Sequence, residues 1–465
     1  MAFLPEYTLF DEFELRGTWW NPANPDHKVA GRLYWTPHEG GRLELATPLA
    51  EPRGNPWETI VHGDVAAKHA TSLKVTLENV FCRRDPSHRN TQVCTGTRLY
   101  CGAHLDPTDP GLIRSTHLHL ESLFSWYGFE PWAMEGGQPL RRTGEREHTL
   151  IDRDPRSTVC RIEGIGGNLQ FSSSKRSDYS HSSLSIDHDI AMASYFSPRP
   201  FREWHDYVHA QFRLITLLSC CRAYPKRIEL ELRRGVNDQR LLGDGVAVYL
   251  RHSWRRDDWP SIGMEMPFQF PRLGPERLAA VAEKWFELQG RLGDCMRLLF
   301  RQIERPGDEI VPRFLSACQM FEAFHRETLG GLYVEQDQYE GWRQAVVAAI
   351  PSDIPRNLRD ALKARLKYGN QLSLRTRLRQ TFAALPSEIQ RVLELDPKRD
   401  ADAITATRNY HTHLDPSSAN SIVEEGELPP VSSKLVMTVG YLLWCELGLA
   451  DLVRPGDVNH LWILS

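Results

Sequence analysis

The sequence predicts an α+β multidomain protein, with a β-rich first part of sandwich or jelly-roll type and an all-α bundle after it. Three observations carry this. Short apolar or alternating runs bounded by Gly, Pro, Asn and Asp recur through residues 1–270. Long segments with apolar residues at i+3 and i+4 fill residues 276–465. Between them, Pro271-Arg272-Leu273-Gly274-Pro275 places helix and strand breakers at both ends of a short link. A chain of 465 residues has room for two or three separate cores.

In the first part, strands are expected at 29–35, 42–47, 73–81, 98–104, 159–165, 228–232 and 246–250, where β-branched and apolar residues alternate with polar ones. Glu39-Gly40-Gly41 joins the first two as a hairpin. The polar stretch Ser172 to Ser185, with His181, reads as an exposed strand pair or loop. Pro200 to Cys221 breaks the pattern: Trp204, Tyr207, Val208 and Phe212 recur at helical spacing and read as a core stripe. Gly164-Ile165-Gly166-Gly167 has no following Lys-Ser/Thr and is a turn, not a phosphate loop.

In the second part, one helix is expected over Glu276 to Ile303, and the next from Glu309 to Thr328. The latter would be capped by Asp308 and closed by Gly330-Gly331. Further helices are expected at 339–350, 356–366, 374–385, 387–395, 400–413 and 432–449. The last is apolar but carries Glu446, so it reads as a buried helix. No run approaches the ~20 apolar residues of a spanning helix.

Composition narrows the class. A 41% hydrophobic and 25% charged content excludes a disordered or fibrous chain. The net charge of −4 means that any nucleic-acid surface is a local patch. Residues Met1 to Tyr7 lack a basic stretch before an apolar core, so no signal peptide is expected. Nine scattered cysteines suggest reduced thiols in a cytoplasm, not a disulfide framework. A zinc set of Cys82, His88, Cys94, Cys101 and His104 is conceivable. Its cysteines, however, lack the close-pair spacing that zinc prefers, and strand positions suit them as small buried groups.

The chemistry concentrates in Thr407-Arg408-Asn409-Tyr410-His411-Thr412-His413. An imidazole exchanges a proton near neutral pH. A guanidinium keeps its charge and presents a planar fork to phosphate oxygens. Together they suit cleavage of a phosphodiester by a neighbouring hydroxyl, as in RNA. Asp415-Pro416 should end the helix close to His413. Arg408, His411 and Thr412 share one helical face, whereas His413 at i+5 lies well off Arg408. The two meet only if the helix distorts or ends there, or if a second copy faces the first. Alternatives are a polar helix end with solvated histidines, and an H-x-H metal pair, which lacks an evident carboxylate set.

Two other features accompany the motif. Glu322 and Arg326 stand at i and i+4, as an ion pair or as a site element. Arg365, Lys367, Tyr368, Arg375, Arg377 and Arg379 interleave cations with an aromatic, as RNA-tracking surfaces do, or form a solvated helix face.

Arg408-Asn409-Tyr410-His411-Thr412-His413 resembles the R-N-x-x-x-H form of the HEPN ribonuclease motif. Gly17-Thr18-Trp19-Trp20, Gly31-Arg32-Leu33-Tyr34-Trp35 and Leu43-Glu44-Leu45 are similar to the opening of the ApeA-type N-terminal domain. Glu322 with Arg326 resembles the E-x3-K/R element that accompanies the motif in some members. The resemblance implies a HEPN bundle over 276–465 behind a sensing domain over 1–270. It further implies metal-independent RNA cleavage without a cofactor, in defence against phage. His413 would be acid/base, Arg408 would stabilise the phosphorane, Asn409 would orient the site and His411 would help. The target would be transfer RNA, the trigger phage-derived, and the site shared across a homodimer or higher oligomer, with no membrane involved. The rival reading is a non-catalytic ligand-binding and oligomerising protein.

Overall fold

A computed structural model describes residues 7–49, 60–67, 70–84, 91–106, 113–120, 123–128, 132–135, 149–152, 157–163, 167–179, 184–199, 203–232, 245–254, 266–304, 309–414 and 422–464. Two compact units appear, 1–286 and 287–465. His88, His181, Gly164 to Gly166, Asp308, Asp415 and Pro416 fall outside the described residues.

The first unit is antiparallel β. Its strands are β1 (Phe13–Trp20), β2 (Val29–Thr36), β3 (Gly40–Leu45), β4 (Val61–Ala67), β5 (Ala70–Glu78), β6 (Phe81–Arg84), β7 (Gln92–Gly96), β8 (Arg98–Cys101) and β9 (Ile113–Leu120). After the short α1 (Leu123–Tyr127) come β10 (Trp132–Glu135), β11 (Thr149–Asp152), β12 (Ser157–Ile162), β13 (Gly167–Tyr179) and β14 (Leu184–Arg199). Helix α2 (Trp204–Ser219), β15 (Pro225–Leu232) and β16 (Gly245–Leu250) complete the unit. Fourteen of these strands form one continuous ladder, β12-β13-β14-β9-β15-β16-β8-β5-β4-β1-β2-β3-β7-β6, and β10 pairs with β11.

Alternation sets the faces: in β3, Leu43 and Leu45 point inward while Arg42 is exposed, and Leu33 of β2 stands opposite Leu43. Gly40, at φ +84°, supplies the left-handed corner of the expected hairpin. The ladder curls until distant strands touch. Leu77 of β5 fills the space left by the bare Gly41 of β3 and Gly96 of β7, and Tyr249 of β16 meets the rings of Phe13 and Trp35. The sandwich-like core is thus made by one folded-over sheet. The aromatic stripe of α2 is core, as expected, with Trp204, Tyr207 and Phe212 all buried. Within the polar stretch, Ser172 to Tyr179 belong to β13 and pair with β14 from Leu184 onward, and 180–183 lie outside the described residues.

The reduced-thiol expectation is corrected at one pair. Antiparallel pairing sets Cys82 of β6 directly opposite Cys94 of β7, with Cα atoms 4.0 Å apart, and the two are joined as a disulfide. Twelve residues of sequence separation concealed this, because only the pairing of β6 with β7 brings the two face to face. The other seven cysteines are free, and all but Cys445 are buried. The conceivable zinc set is also dismantled, since two sulfurs bond each other and His104 Nε2 meets the Gly63 carbonyl at 3.1 Å.

Helix α3 (Phe270–Arg291) starts earlier than expected and is interrupted at Gly274, whose φ of 70° and ψ of 168° are not helical. The first unit extends through Phe286 because Trp285 is core there: its indole N–H donates to the Ala210 carbonyl of α2 at 2.7 Å. Next comes α4 (Gly293–Glu304), so the single helix expected over 276–303 is split at Leu292.

The second unit is centred on α5 (Ile310–Thr328), against which α4 packs on one side. Phe314, Phe321 and Phe324 of α5 are buried, each worth roughly 1.5–3 kcal/mol of burial. Then follow α6 (Gln336–Ala348), α7 (Arg356–Lys367), α8 (Leu374–Ala384), α9 (Ser387–Val392), α10 (Pro397–His413) and α11 (Leu428–Glu446). The buried-helix reading of the last is right: α11 packs on α5, and Glu446 reaches Arg291 at 2.6 Å. Helices α6 and α7 pack on each other, and neither has a buried side chain. No helix among the described residues is long and apolar enough to cross a membrane.

Candidate functional site

The motif sits on the last two turns of α10. Asp396 starts this helix by accepting hydrogen bonds from the Lys398 and Arg399 amides at 3.0 and 2.8 Å, with Pro397 in the first turn. Leu414 ends it in left-handed conformation, its amide donating to the Tyr410 carbonyl. The helix therefore stops at His413, as the sequence predicts. Ala401, Ile404 and Thr405 are buried on the face toward the neighbouring α5 and α8. Thr407 is fully buried; its hydroxyl donates to the Ala403 carbonyl and accepts the Val423 amide at 2.9 Å, which ties the following chain to the motif.

Arg408 is half-buried. Its Nη2 lies 3.6 Å from Glu322 Oε2 of α5, and its Nη1 donates to Asn409 Oδ1 at 3.1 Å. Glu322 thus turns to the motif; among the described residues it makes no ion pair with Arg326, which is exposed. A partly exposed ion pair of this kind contributes under ~1 kcal/mol. The buried phenylalanines of α5 therefore place the helices, and the carboxylate only aims the guanidinium. Cys318 stands one turn before Glu322, and burial pushes its thiol far up, so it is no nucleophile.

His411 is half-buried with its ring edge-on to Tyr410 at 5.2 Å. His413 is exposed on the final turn, and among the described residues no group hydrogen-bonds its imidazole. The helix stays regular to this point, so Arg408 and His413 project about 140° apart. The structure brings Arg408, Asn409 and Glu322 together and leaves His413 outside that group.

The expected RNA-contact residues divide. Arg365, Lys367 and Tyr368 are exposed at the end of α7, with Lys367 Nζ 5.7 Å from the Tyr368 ring centre. Arg375 and Arg379 reach across from α8 to Asp402 of α10 at 3.2 and 2.6 Å. Arg377 is only 4% exposed and is removed from the surface set. Its guanidinium donates to the carbonyls of Leu372, Gly330 and Gly331 and lies 3.1 Å from His325 Nδ1. The reason is positional: on α8, Arg377 follows the inward stripe of Leu374, Leu378 and Thr381.

Sequence reasoning missed Asp402. Helical spacing contained the signal, since Asp402, Asn409 and His413 stand at i, i+7 and i+11 and share one face.

A curled antiparallel sheet followed by a helical bundle, with a guanidinium–amide–imidazole motif closing one helix, defines a two-part protein of HEPN type. The family model described as ApeA N-terminal domain 1 matches residues 14–285, and that described as Apea-like HEPN matches residues 315–451. The chain belongs to the ApeA-like HEPN family, whose members are generally abortive-infection defence nucleases. HEPN domains are usually ribonucleases. No curated protein and no solved structure matches the chain.

Proposed function

We propose that this chain is a metal-independent endoribonuclease of abortive phage defence, with transfer RNA as substrate and residues 1–270 as the restraining sensor of a phage-derived trigger. The observation that supports this best is the Glu322–Arg408–Asn409 group at the end of the helix that also carries His413. RNA brings its own nucleophile, the ribose 2′-OH. An imidazole removes that proton or protonates the departing 5′-oxygen, and a held guanidinium stabilises the charge on phosphorus. The products are a 2′,3′-cyclic phosphate and a 5′-OH.

Arg408 and His413 of one chain point apart, so the working site takes Arg408 from one copy and His413 from another, in a homodimer or higher oligomer. Asn409 holds Arg408, and His411 lies beside the reacting groups as a helper.

Incubation with RNA in excess chelator tests the reading. Cleavage by the wild-type chain that disappears in both Arg408→Ala and His413→Ala supports it. Intact RNA in the presence of phage lysate as trigger would instead favour a ligand-binding, oligomerising protein.

A further inference from the structure

Arg375 and Arg379 share a single carboxylate. Arg379 Nη2 donates to both oxygens of Asp402, at 2.6 and 2.7 Å, and Arg375 Nε stands 3.2 Å from Oδ1. Two cations on one anion leave a surplus positive charge, and the three side chains are 38–51% exposed. The pairing is also not the two-pronged fork that a guanidinium makes with its best partner. One nitrogen of Arg379 serves both oxygens, and its Nε, buried, meets no acceptor among the described residues. A phosphodiester carries the same charge and two anionic oxygens but is not tethered to α10, so in place of Asp402 it can turn its oxygens to the fork of either guanidinium.

Position ties the cluster to the motif. Asp402 lies on the α10 face that also bears Asn409 and His413, about 16 Å from His413 along the axis at ~1.5 Å per residue. That is a few nucleotides of strand away from a phosphate at the helix end.

We propose that Arg375 and Arg379 form a subsite for a non-scissile RNA phosphate, and that Asp402 occupies it in the free protein as a stand-in anion which the RNA displaces. This rests on the ribonuclease reading above and adds to it the path of the strand, back along α10 from His413 toward α8. Asp402 thereby lowers affinity while keeping the two guanidiniums aligned.

The test uses the full-length chain carrying His413→Ala, a fluorescent single-stranded oligoribonucleotide, and binding anisotropy over a salt series. Asp402→Asn should tighten binding several-fold, and Asp402→Glu should restore the starting affinity. Arg375→Ala and Arg379→Ala should each weaken it about tenfold and reduce the salt slope by about one. With His413 intact, the two arginine variants should raise KM and leave kcat unchanged. Melting curves of each variant identify any that fail to fold, and the Asp402→Glu comparison stays decisive because it preserves the charge. Unchanged or weaker binding in Asp402→Asn, or unchanged binding in both arginine variants, overturns the subsite while RNA binding by the parent chain persists. A parent chain that, with phage lysate as trigger, binds neither the oligoribonucleotide nor transfer RNA overturns the ribonuclease reading itself.

Discussion

Glu322 of α5 holds the guanidinium of Arg408 of α10 at 3.6 Å, although Arg326 stands one turn away on its own helix. On the proposed ribonuclease reading, this distant partner gives Glu322 the role of positioning Arg408. Glu322→Gln should lower kcat roughly tenfold with little change in KM, since the amide still reaches Arg408 but no longer fixes its charge. Stability should fall by less than ~1 kcal/mol, because both groups are partly exposed. A loss of activity matched by an equal loss of folded protein would show Glu322 to be structural only.

Arg408→Ala and His413→Ala should each reduce RNA cleavage by about two to four orders of magnitude, the range for removing an acid/base or a charge-stabilising donor. Their fold should be intact, as His413 is exposed and Arg408 half-buried. Circular dichroism with a gel-based cleavage assay checks both halves of the statement.

Mixing those two inactive chains should restore activity to roughly a quarter of wild type: half of random dimers are mixed, and each mixed dimer rebuilds one site of two. No recovery after co-refolding would place both residues in a site within one chain. That contradicts their ~140° divergence on a regular helix.

Arg377→Ala should cost about 2–3 kcal/mol in urea unfolding of the bundle and should leave the RNA salt slope unchanged. The carbonyls of Leu372, Gly330 and Gly331 lose a charged donor in a buried setting. Lysine at this position should rescue only part of the loss, since an ammonium lacks the fork that spans them.

Acid should weaken the β unit. Burial holds His252 neutral, its imidazole pushed down to about 4, with Nε2 bonded to the Leu9 carbonyl and Nδ1 accepting the Trp254 amide. The unfolded chain takes up this proton near pH 6.5, before the folded one does, so stability is full above that pH and falls toward pH 4. The loss from this residue approaches about 3 kcal/mol. In His252→Gln that share of the pH dependence should vanish from melts recorded between pH 7.5 and 4.5. An unchanged slope would mean that the ring takes up its proton in the fold as readily as in the unfolded chain.

Much of this was legible in the sequence because period and punctuation are local. The hairpin at Glu39-Gly40-Gly41, the core stripe of α2 and the stop after His413 each follow from a few adjacent residues. What was hidden depended on partners far along the chain. Cys82 and Cys94 read as separate thiols until the pairing of β6 with β7 opposed them. Arg377 read as one of several basic residues until the stripe of α8 turned it inward. Glu322 had a partner available at i+4, and only the packing of α5 against α10 shows that it uses another.

The paired helices α6 and α7 bury no side chain, yet their two ends are pinned side by side, with the Leu372 amide bonded to the Gly331 carbonyl at 2.7 Å. Forty residues therefore leave and rejoin the bundle at almost one point. Such an excursion should accept shortening to a tight turn, or foreign sequence in its place, without repacking the rest of the bundle.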